Sequence, residues 1–199
     1  MITEGMRTYP ETVRVGSEEV TLRLMEQGDR AGILAFARAL PEHDLLFLRR
    51  DITQEPAVDA WLRDIAAGTI TTVLAEQGGK LVGYGTIHRN ELRWSHHVAE
   101  LRVTVAEAMR GKGLGRILTQ EAFAIALSQG IEKMVAQMTL DQKGAIAAFE
   151  GIGFRPEALL RDQVKDRAGA KHDLLVLSHE VAKFEAQLNA YGVADAFGR

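Results

Sequence analysis

Cysteine is absent from the 199 residues. A disulfide framework, thiolate metal sites and a cysteine nucleophile are therefore excluded. Neither sign of charge dominates: 24 Lys and Arg against 27 Asp and Glu leave a net charge of −3. That balance offers no footprint for duplex nucleic acid or for an anionic membrane. No apolar run approaches the ~18 residues of a membrane span. The start, Met1 to Gly16, carries Glu4, Arg7, Glu11 and Arg14 and lacks the apolar core of a signal peptide. Internal repeats, low-complexity runs and linkers are missing as well. What is there is a globular composition, 46% hydrophobic and 26% charged, in a length that buries one sizeable core. The expectation is a cytoplasmic protein of one domain.

Hydrophobic periodicity orders that domain. Val20, Leu22 and Leu24 alternate with polar residues and predict a half-buried first strand. Asp29 is placed to cap a helix whose Ile33, Phe36, Ala37 and Leu40 share a face and which Pro41 ends. Pro41 to Pro56 has no clean period, and Ala57–Ala67 returns to helix. Gly78-Gly79 joins two strands, Thr69–Glu76 and Lys80–His88, in a hairpin. Val98–Ala106 is the fourth strand. Leu114–Gln129 is a helix with Gly130 at its C-terminal cap. A strand at Ile131–Thr139 and a short helix from Asp141 to near Gly151 follow. Phe154–Lys165 and His172–His179 then form two strands around a turn at Ala168-Gly169-Ala170. Val181, Phe184, Leu188 and Tyr191 mark a final amphipathic helix that caps the domain or a dimer rather than anchoring in a membrane. The fold class is α/β, a mixed sheet of about seven strands with helices on both faces. Residues 1–18 are an N-terminal extension, 19–180 the domain and 181–199 a C-terminal helix or tail.

Two segments carry chemistry. Arg110-Gly111-Lys112-Gly113-Leu114-Gly115 lies between a strand and a helix. Its glycines let the backbone turn tightly and bring N–H groups close to a ligand. The helix N-terminus adds unpaired N–H groups and the positive end of a dipole. Arg110, Lys112 and Arg116 add cations. This suits a pyrophosphate, though a glycine-rich turn with a solvated basic face has the same composition. It is not a P-loop, because Gly113 follows Lys112, and Arg116 stands where the dinucleotide fingerprint needs its last glycine. The second segment, Asp141 to Phe154, is a short helix, a break at Gly151, then Gly153-Phe154 entering a strand.

Together, in this order, the two segments resemble the GNAT superfamily of acyl-CoA-dependent N-acetyltransferases. Arg110, Gly113 and Gly115 match its Arg/Gln-x-x-Gly-x-Gly/Ala loop, and Val103-Thr104-Val105 stands at the spacing of the strand before it. Gln142, Ala145, Phe149 and Gly153-Phe154 follow the family's Asn-x-x-Ala-x-x-x-Tyr-x-x-x-Gly-Phe helix, with Gln for Asn and Phe for Tyr. The resemblance implies a sheet that splays at the fourth strand. It implies pantetheine paired with the backbone of Val103, Thr104 and Val105, and pyrophosphate on Arg110 to Gly115 with Arg116 near. It also implies that Gln142, Ala145 and Phe149 border the acetyl-CoA. Phe149 lacks the hydroxyl of the family's usual tyrosine acid.

The family's strand glutamate corresponds to Glu100, which shares a face with Arg102 and Thr104. Glu100 is the candidate general base; the alternative is a Glu100–Arg102 surface pair. His88 is the reserve base. Adjacent His96 and His97 would point to opposite faces of a strand and cannot chelate one ion. His43, His172 and His179 have the surroundings of ordinary structural histidines, and no metal-ligand constellation emerges. Glu42, His43 and Asp44 form an acidic turn that either attracts an amine or is merely solvated. The expected activity is acetyl transfer from acetyl-CoA to a primary amine, on a small molecule or a protein lysine, by direct attack in a ternary complex. The alternative is an acyl-CoA-binding sensor on the same fold. The partners are acetyl-CoA and the amine, without nucleic acid, membrane or metal, in a monomer or homodimer.

Overall fold

The computed structural model describes residues 8–45, 48, 50–90, 92–166 and 168–181. Two antiparallel strands come first, β1 (Glu11–Val15) and β2 (Glu18–Leu24), with Val13 opposite Val20. β2 is the alternating segment, and it buries Val20 and Leu22. β1 falls inside the segment read as an extension; its two valines are too few to register as alternation.

Helix α1 (Arg30–Ala39) buries Ile33, Leu34, Phe36 and Ala37. It stops where Leu40 turns extended (ψ 145°) ahead of Pro41, because the proline ring crowds a helical residue before it. Asp29 stands at its N-cap position but makes no cap bond to it. Its carboxylate accepts instead from the Glu26 N–H (2.7 Å) and from both Nη atoms of Arg23 (2.8 and 2.6 Å). The aperiodic stretch holds a one-turn helix, α2 (Glu42–Leu45), and α3 (Glu55–Ala66) opens with Pro56 in its first turn, where the missing N–H costs nothing.

The predicted hairpin is β3 (Ile70–Gln77) and β4 (Lys80–Arg89). Then come β5 (Val98–Val105), α4 (Leu114–Ser128), β6 (Lys133–Thr139), α5 (Lys143–Ile152), β7 (Arg155–Lys165) and β8 (Lys171–Glu180). The eight strands form one mixed sheet in the order β1-β2-β3-β4-β5-β6-β8-β7. Among the described residues, only β5 and β6 run parallel. The last predicted helix lies outside the described residues except for Val181, which is buried.

The period of two along the central strands divides the core. On one face, Val73, Ala75, Ile87 and Leu101 pack with Leu114, Leu118 and Phe123 of α4. On the other, Ile70, Leu74 and Tyr84 pack with α1 and α3 through Ile33, Phe36, Val58 and Trp61. Helix α4 sits close on β4: a Cβ at Gly83 would lie 3.0 Å from the Thr104 oxygen and 3.3 Å from Leu114.

Candidate active site

The site begins where two strands part. β5 pairs with β4 from Ala99 to Val105, but with β6 only at Val98–Glu100. Past that point β6 pairs with β8 alone. The β6-side edge of Leu101 to Val105 thus has no strand partner among the described residues. Val103, Thr104 and Val105, the predicted pantetheine positions, lie half-buried on this open edge.

A single turn at Glu107–Met109 leads from β5 into the glycine loop. Gly113 is the N-cap of α4 at φ +98°, a conformation only glycine adopts readily. A Cβ at Gly111 or Gly113 would meet nothing within 4 Å, so the loop's outer surface is open. Leu114 is fully buried and pins the loop to the core. An α-helix leaves its first-turn N–H groups without internal partners, and those of α4 follow directly on this exposed turn. Arg110 donates from Nε to the Val105 oxygen (3.3 Å), and its guanidinium meets Asp44 of α2. Lys112 Nζ lies 2.9 Å from Glu18, and this hydrogen bond holds the Glu18 carboxyl below the usual range. Arg116 is exposed within the first turn of the helix.

Across the gap, the side chain of Gln142 accepts from the Thr139 N–H (3.1 Å) and closes the turn from β6 into α5. Ala145 is half-buried behind it, packed against the core. Phe149 is buried with its ring edge-on to Phe154, centroids 4.9 Å apart. The acidic turn bridges both sides: Asp44 reaches Arg110 and His43 Nε2 lies 3.0 Å from Asp141.

On the α1/α3 face, strand register makes a compact block. His88 stands opposite Glu100, Thr86 opposite Arg102 and Tyr84 opposite Thr104. Directly opposite side chains in an antiparallel pair are near neighbours, so both candidate bases occupy one spot at the fork where β5 and β6 separate. Glu100 Oε1 lies 2.6 Å from Arg102 Nη2, so the pair anticipated as an alternative does form, with both side chains largely covered. Burial pushes the Tyr84 hydroxyl up to about 12, with a hydrogen bond to Thr104 acting the other way. Tyr84 therefore keeps its proton at neutral pH. Trp61 Nε1 donates to Thr72 (3.2 Å), which lies 3.1 Å from the Thr86 hydroxyl.

A cleft opens on this face, lined by Leu48, Arg50, Ile52, Trp61, Ile70, Tyr84, Thr86, His88 and Arg102. Most of these were not singled out in the sequence. Tyr84 and Thr86 could have been, since they alternate with His88 on β4. Arg50 could not, because it lies in the aperiodic stretch. Among the histidines, His96 and His97 sit in a turn and not a strand, and their rings meet edge to face at 6.0 Å. His172 pairs with Asp166 (2.8 Å), and His179 is buried among Phe123 and Phe154. Among the described residues no group of three acidic or histidine side chains could hold a metal ion, and no helix is long and apolar enough to cross a membrane.

The sequence model of the acetyltransferase (GNAT) family matches residues 34–154, more than half of the chain. The chain belongs to the GNAT acetyltransferase family. The candidate phosphinothricin acetyltransferase YwnH of Bacillus subtilis is 26% identical over 165 residues, which span 82% of this chain and all of that one. Among solved structures, the ribosomal-protein-alanine N-acetyltransferase of Brucella melitensis superposes with a TM-score of 0.72 at 24% identity, covering 80% of this chain and 98% of that one. The candidate acetyltransferase YncA of Salmonella typhimurium, solved with its cofactor acetyl-CoA, gives 0.71 at 22% identity, covering 81% and 94%. As a GNAT acetyltransferase, the protein takes its acetyl group from acetyl-CoA. The open loop surface at Gly111 and Gly113 and the unpaired edge of β5 fit such a donor.

Proposed function

We propose that the protein is an N-acetyltransferase that acetylates a primary amine by direct attack within a ternary complex. The observation that carries this reading is the fork after Glu100. There the open edge of β5 leads to the glycine loop on one side and the Glu100–His88 pair lines the α1/α3 face. In this reading the loop from Arg110 to Gly115 and Arg116 hold the pyrophosphate. The backbone of Val103 to Val105 aligns the pantetheine arm, and Gln142, Ala145 and Phe149 form its far wall. Acetyl-CoA supplies the activated acetyl group.

The chain's own task is proton management. A lysine-like amine is about 3.4 pKa units from neutrality at pH 7, a deficit of roughly 4.6 kcal/mol. Glu100, with His88 beside it, accepts the amine's proton as the nitrogen bonds to the carbonyl carbon and the C–S bond breaks. The departing thiolate needs less help, since a thiol pKa of about 8.5 leaves a deficit of roughly 2 kcal/mol. That smaller need is why Phe149, which cannot donate a proton, slows the reaction without silencing it. Phe149 is also the feature that favours the second reading, a sensor that binds acetyl-CoA without turnover.

Calorimetry with acetyl-CoA tests the frame. The wild type should bind, and Gly113→Asp should not, because the variant strains the αL backbone and puts a negative charge where phosphate approaches. No heat with acetyl-CoA or CoA would overturn both readings. Tight binding without transfer to any amine would favour the sensor.

A further inference from the structure

The N-acetyltransferase reading leaves the acceptor open, and the names of similar proteins point to different ones, phosphinothricin and a ribosomal protein's alanine. The cleft on the α1/α3 face narrows the choice. We propose that the acceptor is a small amine that also bears a carboxylate, with Arg50 and Arg102 forming the carboxylate subsite. This rests on the reading above and adds the class of substrate.

Two guanidinium groups line the cleft, and among the described residues no carboxylate does. Each arginine is steadied by an acid: Asp64 of α3 holds Arg50 through Nη2, and Glu100 holds Arg102 through Nη2 at 2.6 Å. A guanidinium anchored at one edge keeps its remaining donors in a fixed plane, the arrangement that suits a carboxylate's two oxygens. Arg50 Nη1 is buried and has no hydrogen-bond partner among the described residues. A buried charged donor left in that state is costly, and an acceptor oxygen relieves the cost. Arg50 comes from the stretch between α2 and α3, whereas Arg102 comes from β5, so the fold brings cations from distant parts of the chain to the lining of one cleft.

The rest of the cleft sets the acceptor's shape. His88 lies opposite Glu100, so a carboxylate on the arginines places a neighbouring amine beside the candidate bases. Trp61, Ile52 and Ile70 make the remaining wall apolar. An amino acid with an apolar side chain satisfies all three features. A polyamine would bring further positive charge against two arginines and lack the group they recognise.

The test is a rate panel with the full-length protein and acetyl-CoA, following CoA release. The acceptors are the common L-amino acids, each beside its amide and its decarboxylated amine, together with spermidine and a lysine-containing peptide. The amide's amine is the weaker base and more of it is neutral at pH 7, so intrinsic reactivity runs against the expected result. The best acceptor should be an amino acid, with kcat/KM about tenfold or more above its own amide and amine. In Arg50→Gln that ratio should fall toward one, chiefly through KM, and Arg50→Lys should keep part of it. An amide, a simple amine, spermidine or the peptide performing as well as the free amino acid would overturn the proposal while leaving N-acetyl transfer intact. So would a ratio unchanged in a folded Arg50→Gln. Transfer to no member would overturn the N-acetyltransferase reading and this proposal with it. If Arg50→Gln fails to fold on losing its tie to Asp64, the wild-type panel and Arg50→Lys decide.

Discussion

At the scale of single residues, the chemistry turns on Glu100 and Phe149. Glu100 is held by Arg102 and faces His88, so Glu100→Gln keeps the side chain's shape while removing both its proton-accepting carboxylate and its charge on Arg102. Glu100→Gln should leave acetyl-CoA affinity nearly unchanged and lower turnover by about 10²–10⁴ at neutral pH. The deficit should shrink at high pH, where the amine deprotonates unaided. A pH–rate profile measures both, and full activity at pH 7 would move the role to His88 or water. Phe149 is packed on Phe154, which in turn meets Phe123 at 5.6 Å. Phe149→Tyr keeps that ring and adds the hydroxyl a thiolate could use. Turnover should rise about tenfold if thiolate departure limits the rate, and single-turnover kinetics will show whether it does.

At the scale of elements, the junction between α5 and β7 shows why a glycine and a phenylalanine stand together there. Gly153 caps α5 at φ +114°, and a Cβ on it would lie 2.5 Å from Nε2 of His179. That ring cannot move aside easily, because Phe123 and Phe154 flank it and its Nδ1 contacts the Glu180 oxygen at 2.8 Å. Gly153→Ala should therefore cost about 2–4 kcal/mol, combining left-handed strain with overpacking. Gly169→Ala is the control: φ there is +87° but nothing lies within 4 Å of the new Cβ, so the cost should be only about 1–2 kcal/mol. Urea denaturation of the two variants separates the contributions.

At the scale of the whole molecule, one charge network ties the first strands to the turn before α1. Arg23 on β2 donates to Asp29 and, at 2.5 Å, to Glu76 on β3. The Arg23 guanidinium holds the Asp29 carboxyl below its usual range. A depressed carboxyl contributes stability above its ordinary pKa and loses it as pH falls through the lowered, folded value. Asp29→Asn should thus be less stable than wild type at pH 7 by about 1–2 kcal/mol, and the two should converge toward pH 3 and below. Thermal melts across that range test the sign; a gap that widens on acidification would contradict the assignment.

Local chemistry alone determined a good part of this protein. The Gly78-Gly79 hairpin, the stop of α1 before Pro41 and the glycine loop opening α4 all depend on backbone sterics within a few residues, and they stand where the sequence puts them. The paired motifs from Arg110 to Phe154 carried the family as well. The cap expected of Asp29 was displaced by Arg23, a stronger donor that only the strand before it could bring near. Three further features came only with tertiary structure: β1 joining the sheet, His88 set against Glu100, and Arg50 in the cleft with Arg102. Each depends on register or burial between segments far apart in the chain. Periodicity states which face of a strand is apolar, but it does not state which residue of another strand lies opposite. Nor does it say where an aperiodic stretch is held, which here is decided by Asp64 and Arg110 gripping Arg50 and Asp44.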